Sequence, residues 1–264
     1  MPELPDVEAF RQTVENAALR SPVQHTTVQD NRILDDSLNP SGLGRRLKSK
    51  PFTAAHRHGK VLFLRQGRGR GALVLRFGMT GSVQVCSNDE ELPDHTRAEL
   101  CLSNGSRLAV ISQRRLGSIG FTDDEPQFIE QENLGPDALN GGLSKRDFIN
   151  MLSQSRATVK ATLMDQSRIA GIGNIYADEI LFQTGIRPDR KTHTLSKKES
   201  ANVYRKMHHV LNTAIDRITT NKDFPGSWLL PQRGRDNSCP RCDRKIKSMN
   251  VSGRTTRYCP CCQT

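Results

Sequence analysis

The chain of 264 residues is poor in long apolar runs. Hydrophobic residues make up 35% of it, and its clean apolar stretches are as short as Val61-Leu62-Phe63-Leu64. A membrane-crossing helix needs about 20 such residues in a row, so no span and no membrane partner is expected. The first six residues, Met1-Pro2-Glu3-Leu4-Pro5-Asp6, are acidic and have no apolar core of a secretory signal, which points to a cytoplasmic protein. There is no internal repeat or low-complexity tract. Acidic residues are also in deficit, 28 against 39 Lys and Arg, leaving a formal net charge of +11. That excess suits a polyanion, most simply nucleic acid, although a merely basic soluble protein would show it too. The length allows one large domain or two ordinary ones.

The charge is unevenly spread. Residues 86–137 hold eleven acidic and four basic side chains, a net of −7, whereas residues 231–264 hold eight basic and two acidic, a net of +6. Cysteine is just as uneven: Cys86 and Cys101 stand alone, and the other five of the seven fall in the last 26 residues. There Cys239-x2-Cys242 is followed by Cys259-x2-Cys262, two knuckles at the spacing of a four-thiolate zinc site. Cys261 is an ambiguous fifth thiol. Residues 243–258 between the knuckles have the length of a β-hairpin. An odd cysteine count without a signal argues against disulfides. Four thiolates leave no open coordination position, so the one zinc ion is expected to be structural.

Residues 5–18 read as a helix with Val7, Phe10, Val14 and Ala18 on one face. From 60 to 121 short strands are expected at 60–65, 72–77, 82–86, 98–103, 107–112 and 117–121. Ala98, Leu100 and Leu102 alternate with Glu99, Cys101 and Ser103, the pattern of a half-buried strand. Strands in series suggest a β-sandwich or barrel. After Gly141-Gly142 the pattern turns helical. Ser196 and Glu199 form a capping box that opens a helix with the stripe Tyr204, Met207, Val210, Leu211, Ala214, Ile215 and Ile218. The fold class is therefore α+β: a sandwich over 1–130, a linker over 131–145, a helical domain over 146–235 and a zinc hairpin over 236–264.

Two further features concern chemistry. The turn Gly171-Ile172-Gly173-Asn174 separates helical stretches at 156–165 and 174–184. Its glycines permit positive φ and close approach, and Asn174 is a good N-cap; free N–H groups there would suit a phosphate, though a plain helix connection reads the same way. Pro2 would become the N-terminus once Met1 is removed. A secondary amine with an α-amino pKa near ~8 keeps a neutral fraction at neutral pH, which can attack an aldehyde carbon.

Several ordered motifs carry a resemblance. They are Met1-Pro2-Glu3-Leu4-Pro5, His58-Gly59-Lys60, Phe77-Gly78-Met79-Thr80-Gly81-Ser82, Gln113-Arg114-Arg115-Leu116-Gly117, Leu163-Met164-Asp165-Gln166, Gly171-Ile172-Gly173-Asn174-Ile175-Tyr176-Ala177, Gly185-Ile186-Arg187-Pro188 and Tyr258-Cys259-Pro260-x-Cys262-Gln263. The chain resembles, nearly end to end, the formamidopyrimidine-DNA glycosylase and endonuclease VIII family, and the formamidopyrimidine branch best, since Leu4-Pro5 follows Pro2-Glu3. The resemblance implies an N-terminal β-sandwich, a helix-two-turns-helix domain and a zinc hairpin. It implies a monomer that flips a damaged nucleotide out of duplex DNA, displaces the base and cleaves the strand. Pro2 would be the nucleophile, Glu3 would move protons at the sugar, and Lys60 would hold a phosphate and assist β-elimination. Arg254 would grip phosphates and assist δ-elimination, and Gly173 and Asn174 would meet the backbone from the helical side. His95 matches a DNA-contacting position. Met79, Arg114 and Leu116 would fill the space left by the flipped base, with Arg114 reading the opposite base.

Three places depart from the family pattern. Asp6, a supporting carboxylate, replaces Glu; Ser112-Gln113-Arg114-Arg115-Leu116 replaces Asp-Pro-Arg-Arg-Phe; and the stretch from Thr220 to Cys239, around 221–233, is short for a loop that closes over 8-oxoguanine. Competing readings are a non-catalytic or abasic-site-only damage binder of the same fold, and a generic zinc-ribbon nucleic-acid binder. The last accounts for tail and charge but not for Pro2, Glu3 and Lys60.

Overall fold

The computed structural model describes residues 1–36, 38–67, 71–234 and 237–264. The chain divides into two compact units, one of Met1–Pro2 and Asp6–Glu132, the other of Glu3–Pro5 and Asn133–Thr264. No helix among the described residues is long and apolar enough to cross a membrane.

The first unit opens with α1 (Leu4–Ala18), whose Val7, Val14 and Ala18 are buried, the face expected from sequence. Eight strands follow: β1 (Val23–Val28), β2 (Phe52–His58), β3 (Val61–Gln66), β4 (Ala72–Arg76), β5 (Gly81–Ser87), β6 (Thr96–Leu102), β7 (Ser106–Ser112) and β8 (Ser118–Thr122). They form two antiparallel four-stranded sheets, ordered β1-β6-β7-β5 and β2-β3-β4-β8. Leu62, Leu64, Leu73, Leu75 and Ile119 of one sheet share a core with Val83, Ala98, Leu100, Leu108 and Val110 of the other, which makes a sandwich. Six strands lie where alternation placed them. The unforeseen pair, β1 and β2, are edge strands, and VQHTTV is too polar to signal itself.

Two helices of this unit also went unread. In α2 (Pro40–Leu47) the Asn39 side chain accepts the Gly42 N–H at 2.7 Å and Pro40 sits at the first helical position, a start signal hidden in a short polar segment. The second, α3 (Glu125–Gln131), covers the outer face of β3, where Phe128 meets Phe63 edge-on at 5.5 Å. That cover is why Val61–Leu64 is apolar on both faces. The half-buried pattern read for β6 needs correction as well. Its outward residues Glu99 and Cys101 are only 8% and 6% exposed, so this strand is covered on both sides.

The second unit contains α4 (Lys145–Gln154), α5 (Val159–Met164), α6 (Asn174–Thr184), α7 (Lys197–Thr219) and the hairpin β9 (Lys247–Val251) with β10 (Arg254–Tyr258). The capping box of α7 forms as read: Ser196 Oγ accepts the Glu199 N–H, and Glu199 accepts the Ser196 N–H. Met207, Val210, Leu211 and Ala214 are buried, with Tyr204 and Ile215 packed at the margin. The central helix is α6, buried continuously from Tyr176 to Phe182. A helix with no solvent face leaves its polar residues Asp178 and Glu179 inside, and each needs a partner there.

Candidate active site

The metal centre is built by the two knuckles. The sulfurs of Cys239, Cys242, Cys259 and Cys262 all lie within 4.8 Å of one another. The Cys239–Cys262 and Cys242–Cys259 separations are 3.8 and 3.5 Å, close to the edge of roughly 3.8 Å that a tetrahedron of Zn–S bonds near 2.3 Å requires. Backbone N–H groups point at the sulfurs, Arg241 to Cys239 at 3.5 Å and Cys262 to Cys259 at 3.4 Å, which suits thiolates. The Arg244 N–H draws the Cys242 thiol down to about 7. The donor set fits one structural zinc. Cys261 is exposed and outside the cluster, which resolves its ambiguity. Between the strands, Ser252 and Gly253 both have positive φ, 51° and 74°, the two-residue turn that matches strand twist. Arg254 follows that turn, exposed, with no ion pair among the described residues.

At the N-terminus of α6 the sequence reading is corrected. The turn does not present free N–H groups, because the buried carboxylate of Glu3 takes them. Glu3 accepts from Gly173 N at 2.8 Å, Ile175 N at 2.8 Å and Tyr176 N at 3.2 Å. Three donors and the positive end of the helix dipole make this a seat for an anion, filled by the chain's own residue. The glycines serve the same fit. A Cβ on Gly173 would lie 2.3 Å from Glu3 Cδ, and one on Gly171, at φ +114°, would lie 2.5 Å from Leu4 Cδ1. Leu4 N–H also donates to Gly171 O at 3.0 Å. Close approach was read correctly; what approaches is the segment Glu3-Leu4. Gly173, not Asn174, is the N-cap, in extended backbone with no side-chain cap.

Asn174 is released for other work, and this exposes a residue that sequence reasoning missed. Asn174 Oδ1 accepts from Lys160 Nζ at 2.6 Å, and its Nδ2 donates to Thr255 O at 3.1 Å. Lys160, 0% exposed, also donates to Thr256 Oγ1 at 2.7 Å and pairs with Asp178 at 2.7 Å. Asp178 further accepts from Arg233 at 2.5 Å and from the Arg257 N–H at 3.0 Å. Burial pulls the Lys160 ammonium below its usual range, and Asp178 opposes this. The network joins α5, α6 and β10, so the zinc hairpin is tied to the helix that seats Glu3. From sequence, Lys160 is one lysine in a short helix; only its buried partner Asp178, about one turn into α6, distinguishes it.

In the first unit, Lys60 lies in the two-residue turn between β2 and β3, after Gly59 at φ +57°. The buried Arg57, also unforeseen, fixes that turn. Its Nη1 donates to Gly59 O at 3.1 Å and its Nε pairs with Glu8 of α1 at 3.0 Å. Asp6 occupies the first turn of α1, half-buried. The remaining candidates gather where two turns interlock. A Cβ on Gly78 would strike Leu116 O at 2.3 Å, so these backbones touch. Arg114 N–H donates to Thr80 Oγ1 at 3.2 Å, and its guanidinium reaches Met79 Sδ at 3.2 Å. His95, at φ +63°, joins them through its carbonyl, which accepts from Ser112 N at 3.1 Å. Met79 is 38% exposed and Leu116 55%, so neither is the core residue that its position in a strand-rich region would suggest. Arg114 has no ion pair among the described residues, whereas Arg115 is held by Asp30 at 2.7 Å.

Between Thr220 and Gln232 the described chain is anchored at a few points. Phe224 stacks on Trp228 at 5.8 Å, Trp228 and Leu229 are buried, and Leu230 N–H donates to Glu179 at 2.8 Å. Arg235 and Asp236 lie outside the described residues.

Comparison with known proteins agrees over the whole chain. Family models match residues 1–119 as a formamidopyrimidine-DNA glycosylase N-terminal domain, 134–224 as the H2TH domain of that enzyme, and 238–264 as the zinc finger found in FPG and IleRS. The formamidopyrimidine-DNA glycosylase of Histophilus somni (strain 2336) is 31% identical over 273 residues, covering 100% of this chain and 99% of its own. That of Pelotomaculum thermopropionicum is 33% identical over 276 residues, with coverage of 100% and 99%. The fold matches Fpg (MutM) of Lactococcus lactis in complex with DNA containing N7-benzyl-Fapy-dG, at a TM-score of 0.86, 22% identity and 99% coverage of both chains. It also matches the same protein bound non-covalently to abasic-site DNA, at 0.85 and 23%, again with 99% of both chains covered. With its three parts matched in order and full-length identity above 30%, the chain belongs to the formamidopyrimidine-DNA glycosylase family.

Proposed function

We propose that this chain is a bifunctional enzyme that excises an oxidised or ring-opened base from duplex DNA and then cuts the strand at the bared sugar. Family membership makes it a DNA glycosylase of base excision repair. The observation that carries the fuller reading is the pair Pro2-Glu3, with Glu3 held by three amides at the N-terminus of α6.

Met1 is exposed, so its removal leaves Pro2 with a free secondary amine. The lone pair of that nitrogen attacks C1′ of the flipped nucleotide. The bond from C1′ to the base breaks, and the base leaves with a proton. Opening of the sugar ring gives the C1′ iminium and a protonated O4′; the fixed carboxylate of Glu3 is the group that handles protons there. Loss of a C2′ proton then expels the 3′ phosphate, and a second elimination expels the 5′ phosphate. Lys60 and Arg254 hold those phosphates through their positive charge. Asn174 meets the DNA backbone, and Gly173 serves by seating Glu3 rather than by donating its own N–H. Exposed Met79 and Leu116 wedge into the emptied stack, Arg114 reads the opposite base, and His95 contacts DNA. Asp6 supports Pro2 from the first turn of α1. The stretch from Thr220 to Cys239 is short and is anchored by the stacked Phe224 and Trp228, which favours oxidised pyrimidines, hydantoins, ring-opened purines or abasic sites over 8-oxoguanine. The protein acts as a monomer on cytoplasmic DNA, with binding that weakens steeply with salt.

Borohydride trapping of the Met-processed protein on abasic-site DNA tests this. A covalent adduct that is lost in Pro2→Gly is expected. Tight binding without an adduct would leave the damage-binding relative as the correct reading.

A further inference from the structure

The sandwich carries a second cluster of metal-ligand side chains, far in sequence from the zinc knuckles. His25 of β1 and Glu99 and Cys101 of β6 bring one donor atom each within 4.8 Å of one another. Strand register creates the cluster. His25 pairs directly with Cys101, and Glu99, two residues before Cys101, shares the outward face of β6. Cys101 Sγ already lies 3.1 Å from Glu99 Oε1, within reach of the edge of about 3.5 Å set by a Zn–S bond near 2.3 Å and a Zn–O bond near 2.0 Å. His25 is exposed and supplies the entry path, while the other two donors are buried on a central strand whose backbone cannot drift.

We propose that His25, Glu99 and Cys101 form a second metal site, for a borderline-soft divalent cation of the zinc class. Imidazole, carboxylate and thiolate together suit such an ion better than magnesium or calcium, which take oxygen ligands. Three protein ligands leave a fourth position to water, so this ion exchanges more readily than one held by four thiolates. Binding replaces the thiol proton: the metal bonds to sulfur and the proton leaves to solvent. In the metal-free site the Cys101 thiol donates to Glu99 Oε1. Arg107 stands 3.6 Å from Glu99 and is held on its other side by the carbonyls of Ser87 and Glu90, so it neutralises the carboxylate in the metal-free state. Cys86 pairs with Arg107 from β5, two strands from Cys101. At about 4.8 Å per strand it is too distant to be a ligand or a disulfide partner.

The test uses the full-length, zinc-loaded protein and cobalt as the probe, read by metal content per chain and by the thiolate-to-cobalt charge-transfer band. The wild type should hold one zinc and one cobalt and show the band. Cys101→Val and His25→Ala should each hold zinc alone without the band, and Cys86→Ser should match the wild type. His25 is exposed, so its variant reports even if Cys101→Val folds poorly. A wild type with one metal in total, or a band and second metal retained in both ligand variants, would overturn the proposal. None of these readings involves DNA.

Discussion

The two units carry their functional side chains in opposite states. The first presents Met79, Arg114 and Leu116 at exposed turn positions, with side chains that have few partners to move away from. The second holds Glu3 on the first amides of α6 and ties Lys160 to Asn174, Asp178 and Thr256 by short contacts. The difference follows from what each must meet. In the wedge role proposed for them, Met79 and Leu116 slide into a stack that is opened only on binding, so their cost is met by new contacts with the DNA. A proton-handling carboxylate must be in place beforehand, because a misplacement of about 1 Å can cost a hundredfold in rate.

Removing the zinc should produce the largest effect. Cys259→Ser should abolish zinc binding, unfold the hairpin that carries Arg254 and lower DNA affinity at least ~tenfold, as read by metal analysis and binding titration. Wild-type affinity without zinc would separate the hairpin from DNA binding. Next comes Lys160→Met, which leaves Asp178 with Arg233 as its one charged partner among the described residues and the Arg257 N–H beside it. Stability should fall by about 3 kcal/mol, and trapping by Pro2 should slow even at temperatures where the variant is folded. A variant that is less stable but traps at the wild-type rate would make the network purely structural.

The buried Glu179 tests the same unit through pH. Burial raises its carboxyl to about 7, against hydrogen bonds from Gln183 and the Leu230 N–H that lower it. The folded value lies above the ordinary 4.5, so its contribution is complete below pH 4.5 and is lost as pH rises towards and through 7. At about 1.4 kcal/mol per unit the loss approaches ~3 kcal/mol. Denaturation midpoints of Glu179→Gln should therefore be flatter than those of the wild type between pH 5 and pH 8; parallel curves would refute the burial. The smallest effect on folding belongs to the first unit. Leu116→Ala should change stability by less than about 0.5 kcal/mol while weakening binding to damaged DNA several-fold. A large loss of stability would return Leu116 to the core.

Much of the framework was legible in the chain because it rests on local rules. Short apolar segments between Gly and polar turns marked β3 to β8, the capping box marked α7, and the knuckle spacing marked the zinc ligands. The misses share a cause. Strands β1 and β2 carry polar residues such as His25, Thr26, His56 and Arg57 that hide their pattern, and α3, with its Asp124 cap, is too short to show a helical period. At 171–174 the glycines announced close approach, but nothing in that segment says that residue 3 is what arrives.

By itself the sequence determined the four thiolates, six of the eight sandwich strands and the chemistry open to Pro2, since these depend on residue type and short spacing, and the order of its motifs determined the family. Tertiary structure alone decided that Glu3 fills the α6 N-terminus, that Lys160 is buried against Asp178, and that His25 meets Cys101. Each joins residues far apart in the chain, and burial then changes what a charge or thiol can do. The charges belong here too. Beside its apolar cluster the second unit holds the pair Lys160–Asp178 at its centre, and pairing is a property of space rather than of order along the chain.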